Sequence, residues 1–238
     1  MMFNRITPLA VSATFISAVI LWAQNPNAKE ILRQRVAELK QSIAANKAKQ
    51  QKYYWTETTQ ISLKGEVKKE VQKICRFGPD GQVQKTPILD PSASAPKEKR
   101  GLRGKIVEKK VGELQDYMER VGSLVRWYVP PNPQKIQACV QAGHANLNLS
   151  SGGPASLTLT DYYKAGDQIT FNFDRTEKRL ESYVVNSYLD TPGDAVDVTA
   201  QFSSLPDGTN YVAQSVLNAS AKKIQVTTTN SNYTLVGH

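Results

Sequence analysis

The second half of the sequence is a series of short β-forming segments with nothing between them that could cross over. From Ala155 to the C-terminus, apolar residues alternate with Thr, Asn and Ser, and turn signals rich in Gly, Pro, Asn and Asp interrupt them. Parallel strands need a connection of a dozen residues or more, usually a helix, and no stretch here is long enough. We therefore predict about seven antiparallel strands, the last two forming a hairpin of Ile224–Thr228 with Tyr233–Leu235 across Asn230–Asn232.

The first half combines helices with a meander of three strands. We predict a helix from Asn27 to about Gln51, strands over 56–63, 67–77 and 82–88, and a mobile loop over about 90–104 that is rich in Pro, Ser and charge. Apolar residues then recur every three or four positions from Val107 to Tyr128, which indicates a long amphipathic helix. Asn132 and Pro133 begin a shorter helix that runs to about Ala142.

These elements predict an α+β fold. About ten or eleven antiparallel strands in one layer would twist and curl, so we expect a curved antiparallel sheet, a half-closed barrel, with a lid of about three helices. Apolar side chains on the concave face and on the lid are the candidates to line a ligand cavity. They are Trp55, Val111, Leu114, Met118, Val125, Phe171, Phe173 and Val198.

The N-terminus has the pattern of a secretory signal. Arg5 precedes a 17-residue run without charge, Ile6–Trp22, and Ala23 offers a small residue for cleavage. We predict a signal peptide over 1–23 and a single domain over 24–238, periplasmic or secreted after cleavage. An uncleaved anchor is the alternative, although the run is short for ~30 Å of hydrocarbon.

The positive charge belongs to the first half of the chain. Residues 24–126 hold 22 basic and 12 acidic side chains, whereas residues 127–238 hold 7 and 9. Behind an export signal we expect no nucleic-acid partner, and the basic run could instead contact an anionic membrane surface. Its candidate residues are Lys97, Lys99, Arg100, Arg103 and Lys105; a merely solvated loop is the alternative.

The sequence offers little for catalysis or metal binding. There are two cysteines and two histidines, so we predict a protein that is not an enzyme, with no cofactor and no metal site. A hydrolase would need His144 beside Ser or Asp in a pocket. Cys75 and Cys139 could form a disulfide in an oxidising compartment or remain two buried thiols.

The order of elements behind an export signal resembles the bacterial periplasmic lipoprotein-carrier (Lol-type) superfamily, which includes carriers, receptors and related sensor domains. Local support comes from the first helix leading into Tyr53-Tyr54-Trp55, the Phe77-Gly78-Pro79-Asp80-Gly81 turn and Leu205-Pro206-Asp207-Gly208. The resemblance implies an unclosed eleven-stranded barrel with three lid helices over an apolar cavity.

These features together predict a non-enzymatic, monomeric binding protein or carrier that holds an acyl chain or other apolar ligand. The alternative is an envelope sensor or interaction domain of the same fold that binds a protein partner without lipid cargo.

Overall fold

The computed structural model describes residues 45–88, 102–148, 155–174 and 179–237, apart from the side chains of 102–108, Leu147 and Arg179. The predicted signal peptide, the first part of the first helix and most of the predicted mobile loop lie outside these ranges. Among the described residues, no helix is both long enough and apolar enough to cross a membrane.

Ten strands form one antiparallel sheet in the order β3-β2-β1-β10-β9-β8-β7-β6-β5-β4. In the described part of the chain β3 and β4 are its two edges, so the sheet is not closed. The strands are β1 (Tyr53–Leu63), β2 (Glu66–Phe77), β3 (Val83–Pro87), β4 (Ala145–Asn148), β5 (Ala155–Thr160), β6 (Gln168–Asp174), β7 (Arg179–Tyr188), β8 (Ala195–Ser204), β9 (Asn210–Ala219) and β10 (Ile224–Leu235).

Three helical segments accompany the sheet. They are the described end of α1 (residues 45–50), α2 (Leu102–Val125) and α3 (Pro133–Gln141). The Asn132 side chain caps α3 by accepting from the backbone N–H groups of Gln134 and Lys135, as expected for Asn before a first-turn proline. The predicted fold class, an α+β protein with a curved, unclosed antiparallel sheet, is confirmed.

Several elements differ from the sequence prediction. Helix α2 begins at Leu102, inside the predicted loop and before Val107, where the predicted apolar repeat starts. The short edge strand β4 was missed because its sequence, Ala-Asn-Leu-Asn, has low β propensity.

The predicted C-terminal hairpin is wrong, because residues 224–235 form the single strand β10. Tyr54 of β1 lies opposite Thr234, and Thr56 lies opposite Ser231. Two residues of β10 therefore face one residue of β1. Asn232 takes a positive φ of 54° there, so it forms a β-bulge and not a turn.

The hydrophobic core lies between helices α2 and α3 on one side and the middle of the sheet on the other. On α2 the buried positions Tyr117, Met118, Val121, Leu124 and Val125 recur on one face. Together with Ile136 and Cys139 of α3 they form one cluster with the inward residues of strands β5 to β10. The lid therefore covers the half of the sheet centred on β5–β8.

Asp167 fixes the connection between β5 and β6 and attaches the end of α2 to it. Its buried carboxylate accepts hydrogen bonds from the backbone N–H groups of Tyr162, Tyr163 and Lys164, at 2.6 to 2.9 Å. The hydroxyl of Tyr128 donates to the same carboxylate at 2.6 Å. Four charge-assisted bonds on one buried group hold this corner in a single arrangement.

Candidate functional site

The concave face of the sheet has a covered half and an open half. Strands β5–β8 present residues that the lid buries almost completely, such as Ile169, Phe173 and Val196. On β1, β9 and β10 several residues of the same face are only partly buried, among them Ile61, Leu217 and Val226, although Ala219 and Ile224 are buried. The open half is therefore the part of the sheet where a ligand could bind.

A continuous row of apolar side chains crosses the open half. Ile61 of β1 lies opposite Val226 of β10, and Val226 lies opposite Leu217 of β9. Leu217 in turn lies opposite Val198 in the covered half. With Leu63, which is two residues along β1, the half-buried residues Ile61, Leu217 and Val226 form what we call the apolar strip. All four pack against the edge of the core.

The strip has a cleft at one end. This cleft, of about 360 Å³, lies at the β1–β2 and β9–β10 turns and is lined by residues that include Gly65, Ser220, Lys223 and Ile224. Its lining is mixed polar and apolar, so it differs in character from the strip itself.

A row of hydroxyl groups follows the strip along the strands. Thr59, Thr228 and Ser215 lie directly opposite one another on β1, β10 and β9, and all three are half-buried. Within the described ranges, no side-chain hydrogen bond engages their hydroxyls. They are therefore available to water or to the polar group of a ligand.

Beyond the hydroxyl row, a buried ion pair lies on the same face. Lys85 Nζ is 2.5 Å from Glu57 Oε2, and their side chains are only 4% and 10% exposed. Cys75 of β2 lies opposite Lys85 and is fully buried. Burial raises the pKa of its thiol to about 12, and the negative charge of Glu57 contributes to the shift. A thiol with so high a pKa is a poor nucleophile.

An aromatic cluster closes this end of the concave face. The Trp55 ring stacks on Tyr233 at 5.5 Å and contacts Phe77, and its Nε1–H donates to Asn230 Oδ1 at 3.0 Å. Tyr211 contacts Tyr233 from the other side. Burial raises the pKa of Tyr233 well above its ordinary value.

The end of α1 covers the neighbouring β8–β9 turn. Asn46 both donates to and accepts from the backbone of Asn210, and Gln50 donates to the same carbonyl. Side chains of the ion pair, the aromatic cluster and α1 therefore fill the region beyond the hydroxyl row. The residues of the apolar strip, in contrast, are only half-buried.

The structure places the eight predicted lining residues in different surroundings. Most of them belong to the packed core or to its margin; these are Leu114, Met118, Val125, Phe171, Phe173 and Val198. Trp55 lies in the aromatic cluster, and Val111 is 48% exposed on α2. The residues of the apolar strip were missed, although the alternation of Ile61 and Leu63 along β1 was a visible signal.

The predicted membrane-surface residues fall mostly outside the described ranges. Lys97, Lys99 and Arg100 lie in the segment before α2, and Arg103 and Lys105 are in its first two turns. Their role in contacting a membrane remains a prediction.

The alternative of a disulfide is excluded in this structure, because Cys75 and Cys139 are two free, buried thiols. Cys139 belongs to the core cluster beneath α3, which contacts β5 near one edge of the sheet. Cys75 lies on β2, next to the opposite edge. The thiols are thus buried in separate clusters.

His144 lies in the turn after α3, and its Nδ1 is 3.7 Å from Asp161 Oδ2. This distance exceeds a hydrogen bond, and both side chains are almost half exposed. The arrangement does not meet the condition set for a hydrolase, a histidine beside Ser or Asp in a pocket. Among the described residues, no group of three or more His, Cys, Asp or Glu side chains could hold a metal ion.

In the described part of the chain, fold and site together define an α+β protein with an unclosed ten-stranded sheet, helices that cover the half centred on β5–β8, and a half-buried apolar strip. No family model and no curated protein matches the sequence.

Among solved structures the chain is similar to a LolA superfamily protein from Nitrosomonas europaea, at 12% identity and a TM-score of 0.37. That similarity covers 83% of this chain and 94% of the other. It is also similar to a DUF1329 family protein from Desulfovibrio piger, at 11% identity and a TM-score of 0.37, covering 82% and 90%. These values are too low to carry a ligand or an activity over to this chain.

Proposed function

We propose that this chain is a non-enzymatic binding protein or carrier that holds an acyl chain or other apolar ligand against the apolar strip. The observation that carries the proposal is the row Ile61–Val226–Leu217, which leaves apolar surface half-exposed on a concave face. Single exposed apolar residues are ordinary, but a continuous concave row of them is typical of a ligand-binding surface.

The strip is wide enough for a segment of an extended acyl chain. It crosses three strands, about 10 Å at ~4.8 Å between neighbouring strands, and it continues about 7 Å along β1 from Ile61 to Leu63. A ligand lying along it would gain about 0.8 kcal/mol for each buried methylene, before the entropic cost of binding. The half-exposed protein side chains contribute less, so the ligand's own apolar surface dominates the affinity. The hydroxyl row would face the polar end of such a ligand.

Native mass spectrometry and lipid extraction of the purified protein test whether a lipid is bound. A series of fluorescent fatty acids of increasing length then tests the strip, and we expect affinity to rise about fourfold per methylene. Val226→Gln should weaken binding about tenfold or more. Thr227→Gln is the matched control, because Thr227 is also half-buried but lies on the opposite face of the same strand.

Absence of bound lipid, together with no fatty-acid binding, would contradict the proposal. Equal binding by the Val226 and Thr227 variants would place the ligand elsewhere and would also contradict it. A protein partner captured without lipid, and retained by the Val226 variant, would favour the envelope-interaction alternative instead.

Export to the periplasm is part of the same proposal. It rests on the N-terminal pattern Arg5, Ile6–Trp22, Ala23. N-terminal sequencing of protein recovered from the periplasm should begin at Gln24. A mature protein that still begins at Met1 would support a retained anchor.

A further inference from the structure

An exposed aromatic pair lies at the end of α2, away from the apolar strip. Trp127 follows the last turn of the helix and is 52% exposed. Its ring stacks on Tyr163 with centroids 4.8 Å apart and planes at 18°. Tyr163 is held by its backbone bond to Asp167 and by an edge contact with Tyr128. The pair is therefore a rigid surface feature and not a loosely attached side chain.

Basic side chains accompany the aromatic pair. Lys135 Nζ lies 5.3 Å from the centroid of Trp127 and 4.6 Å from that of Tyr163. Arg126, next to Trp127, is exposed and donates to Gly122 O and Ser123 Oγ. The nearby carboxylate of Asp161 accepts from the Gly166 N–H and faces His144. The patch is thus aromatic and positively charged.

This geometry distinguishes between kinds of partner. A sugar would stack on a free ring face, but each ring here uses one face for the other ring, and Lys135 lies over both. Trp127 remains 52% exposed, with Lys135 beside its ring and Arg126 next to it in the sequence. Indole and phenol rings settle at the boundary between water and lipid, and lysine and arginine attract anionic headgroups.

We propose that Trp127, Tyr163, Arg126 and Lys135 form a docking patch for an anionic lipid surface. The patch is distinct from the basic run near the start of α2, because Lys105, the last residue of that run, lies 20 residues before the end of the helix, about 30 Å away. It does not depend on the apolar strip, so it could position the protein on a membrane with or without a bound ligand.

Tryptophan fluorescence tests the proposal in the full chain. With Trp22 replaced by Phe, only Trp55 and Trp127 remain, and Trp55 is 3% exposed. Quenching by brominated phosphatidylglycerol vesicles then reports contact between Trp127 and lipid. This holds even where the N-terminal apolar run, Ile6–Trp22, also binds the vesicle. We expect strong quenching at low salt, little with brominated phosphatidylcholine, and none after Trp127→Phe.

Charge variants complete the test. Lys135→Gln and Arg126→Gln should each weaken partitioning into anionic vesicles about fivefold at low salt, and 1 M NaCl should remove the difference. Lys110→Gln is the control, since it removes an exposed positive charge on α2 outside the patch. Unquenched Trp127 on anionic vesicles would overturn the proposal. So would equal losses in the three charge variants, or binding through Trp127 to a soluble protein only.

Discussion

Glu57→Gln should destabilise the protein strongly, because it removes one partner of the buried ion pair with Lys85. The substitution keeps the size of the side chain but leaves the Lys85 ammonium, whose side chain is only 4% exposed, without its counter-charge. Removing one partner of a buried pair costs about 3–5 kcal/mol. We expect the lower end, about 3 kcal/mol, because β3 is an edge strand and the lysine can shift towards water.

The chain contains a matched control on β2, the strand that pairs with β3. Glu66 pairs with Lys68 on β2, but both side chains are more than half exposed. Exposed pairs contribute little because solvent screens them, so Glu66→Gln should leave the free energy of unfolding close to that of the wild type. The double variant Glu57→Met/Lys85→Met removes both buried charges together and should lie within about 1 kcal/mol of the wild type.

Urea denaturation followed by circular dichroism measures these differences. A loss of 3 kcal/mol is a large part of the 5–15 kcal/mol that stabilises an ordinary domain, so the midpoint should move clearly while the slope stays constant. Similar stabilities for Glu57→Gln and Glu66→Gln would refute the reasoning. So would a double variant less stable than Glu57→Gln alone.

Three further outcomes are expected. Asp167→Asn should lower the free energy of unfolding by about 3 kcal/mol, because an amide cannot accept from three backbone N–H groups and Tyr128 at once. The control Asp161→Asn, at an exposed position, should lower it by less than about 1 kcal/mol. Thermal unfolding compares the two variants. Cys75 and Cys139 should react with a thiol reagent at pH 8 only after unfolding, and two equivalents should then react; fewer would indicate a disulfide. The folded pKa of Cys75 is raised to about 12 from 9.0, so the wild type should lose stability relative to Cys75→Ala as pH rises from about 9 towards 12. Urea denaturation at pH 8 and pH 10 measures that slope.

The covered half of the fold was predictable from local patterns. The alternation of Ile169, Phe171 and Phe173 identified β6 and its buried face, and the helical repeat through Met118 and Val121 identified the face of α2 that packs on the sheet. These signals are strong because one side of each element is completely buried, which leaves a regular pattern in the sequence.

The open half was less predictable, because its arrangement depends on pairing between distant segments. β1 pairs with β10 about 170 residues away, and only that pairing brings Ile61 beside Val226 and Glu57 beside Asn230. The same pairing turns Asn230–Asn232 from an apparent hairpin loop into a bulged strand. Local sequence identifies residues that can form a turn. It does not identify which distant strand will pair with those residues and keep them extended.

The candidate residues for ligand binding lie mostly in the packed core, for a related physical reason. The most apolar residues of a sequence are those that the core uses, and Phe171, Phe173 and Val125 are accordingly packed among other side chains. A ligand surface needs apolar residues that the core leaves partly uncovered. In this chain they come from strands that also carry Thr, Ser and Gln, where the average hydrophobicity is lower.

The stable core and the proposed binding surface consequently lie in different halves of one sheet. The lid helices bury β5–β8, so the cooperative core can form without the residues of the apolar strip being fully covered. Substitutions at Val226 or Leu217 remove little buried area from the protein itself, whereas they would remove contacts from a bound chain. Reduced ligand affinity with nearly unchanged unfolding is therefore the combination that the binding function requires. A packed core without a ligand would instead lose stability at these positions by the 2–5 kcal/mol typical of buried aliphatic residues.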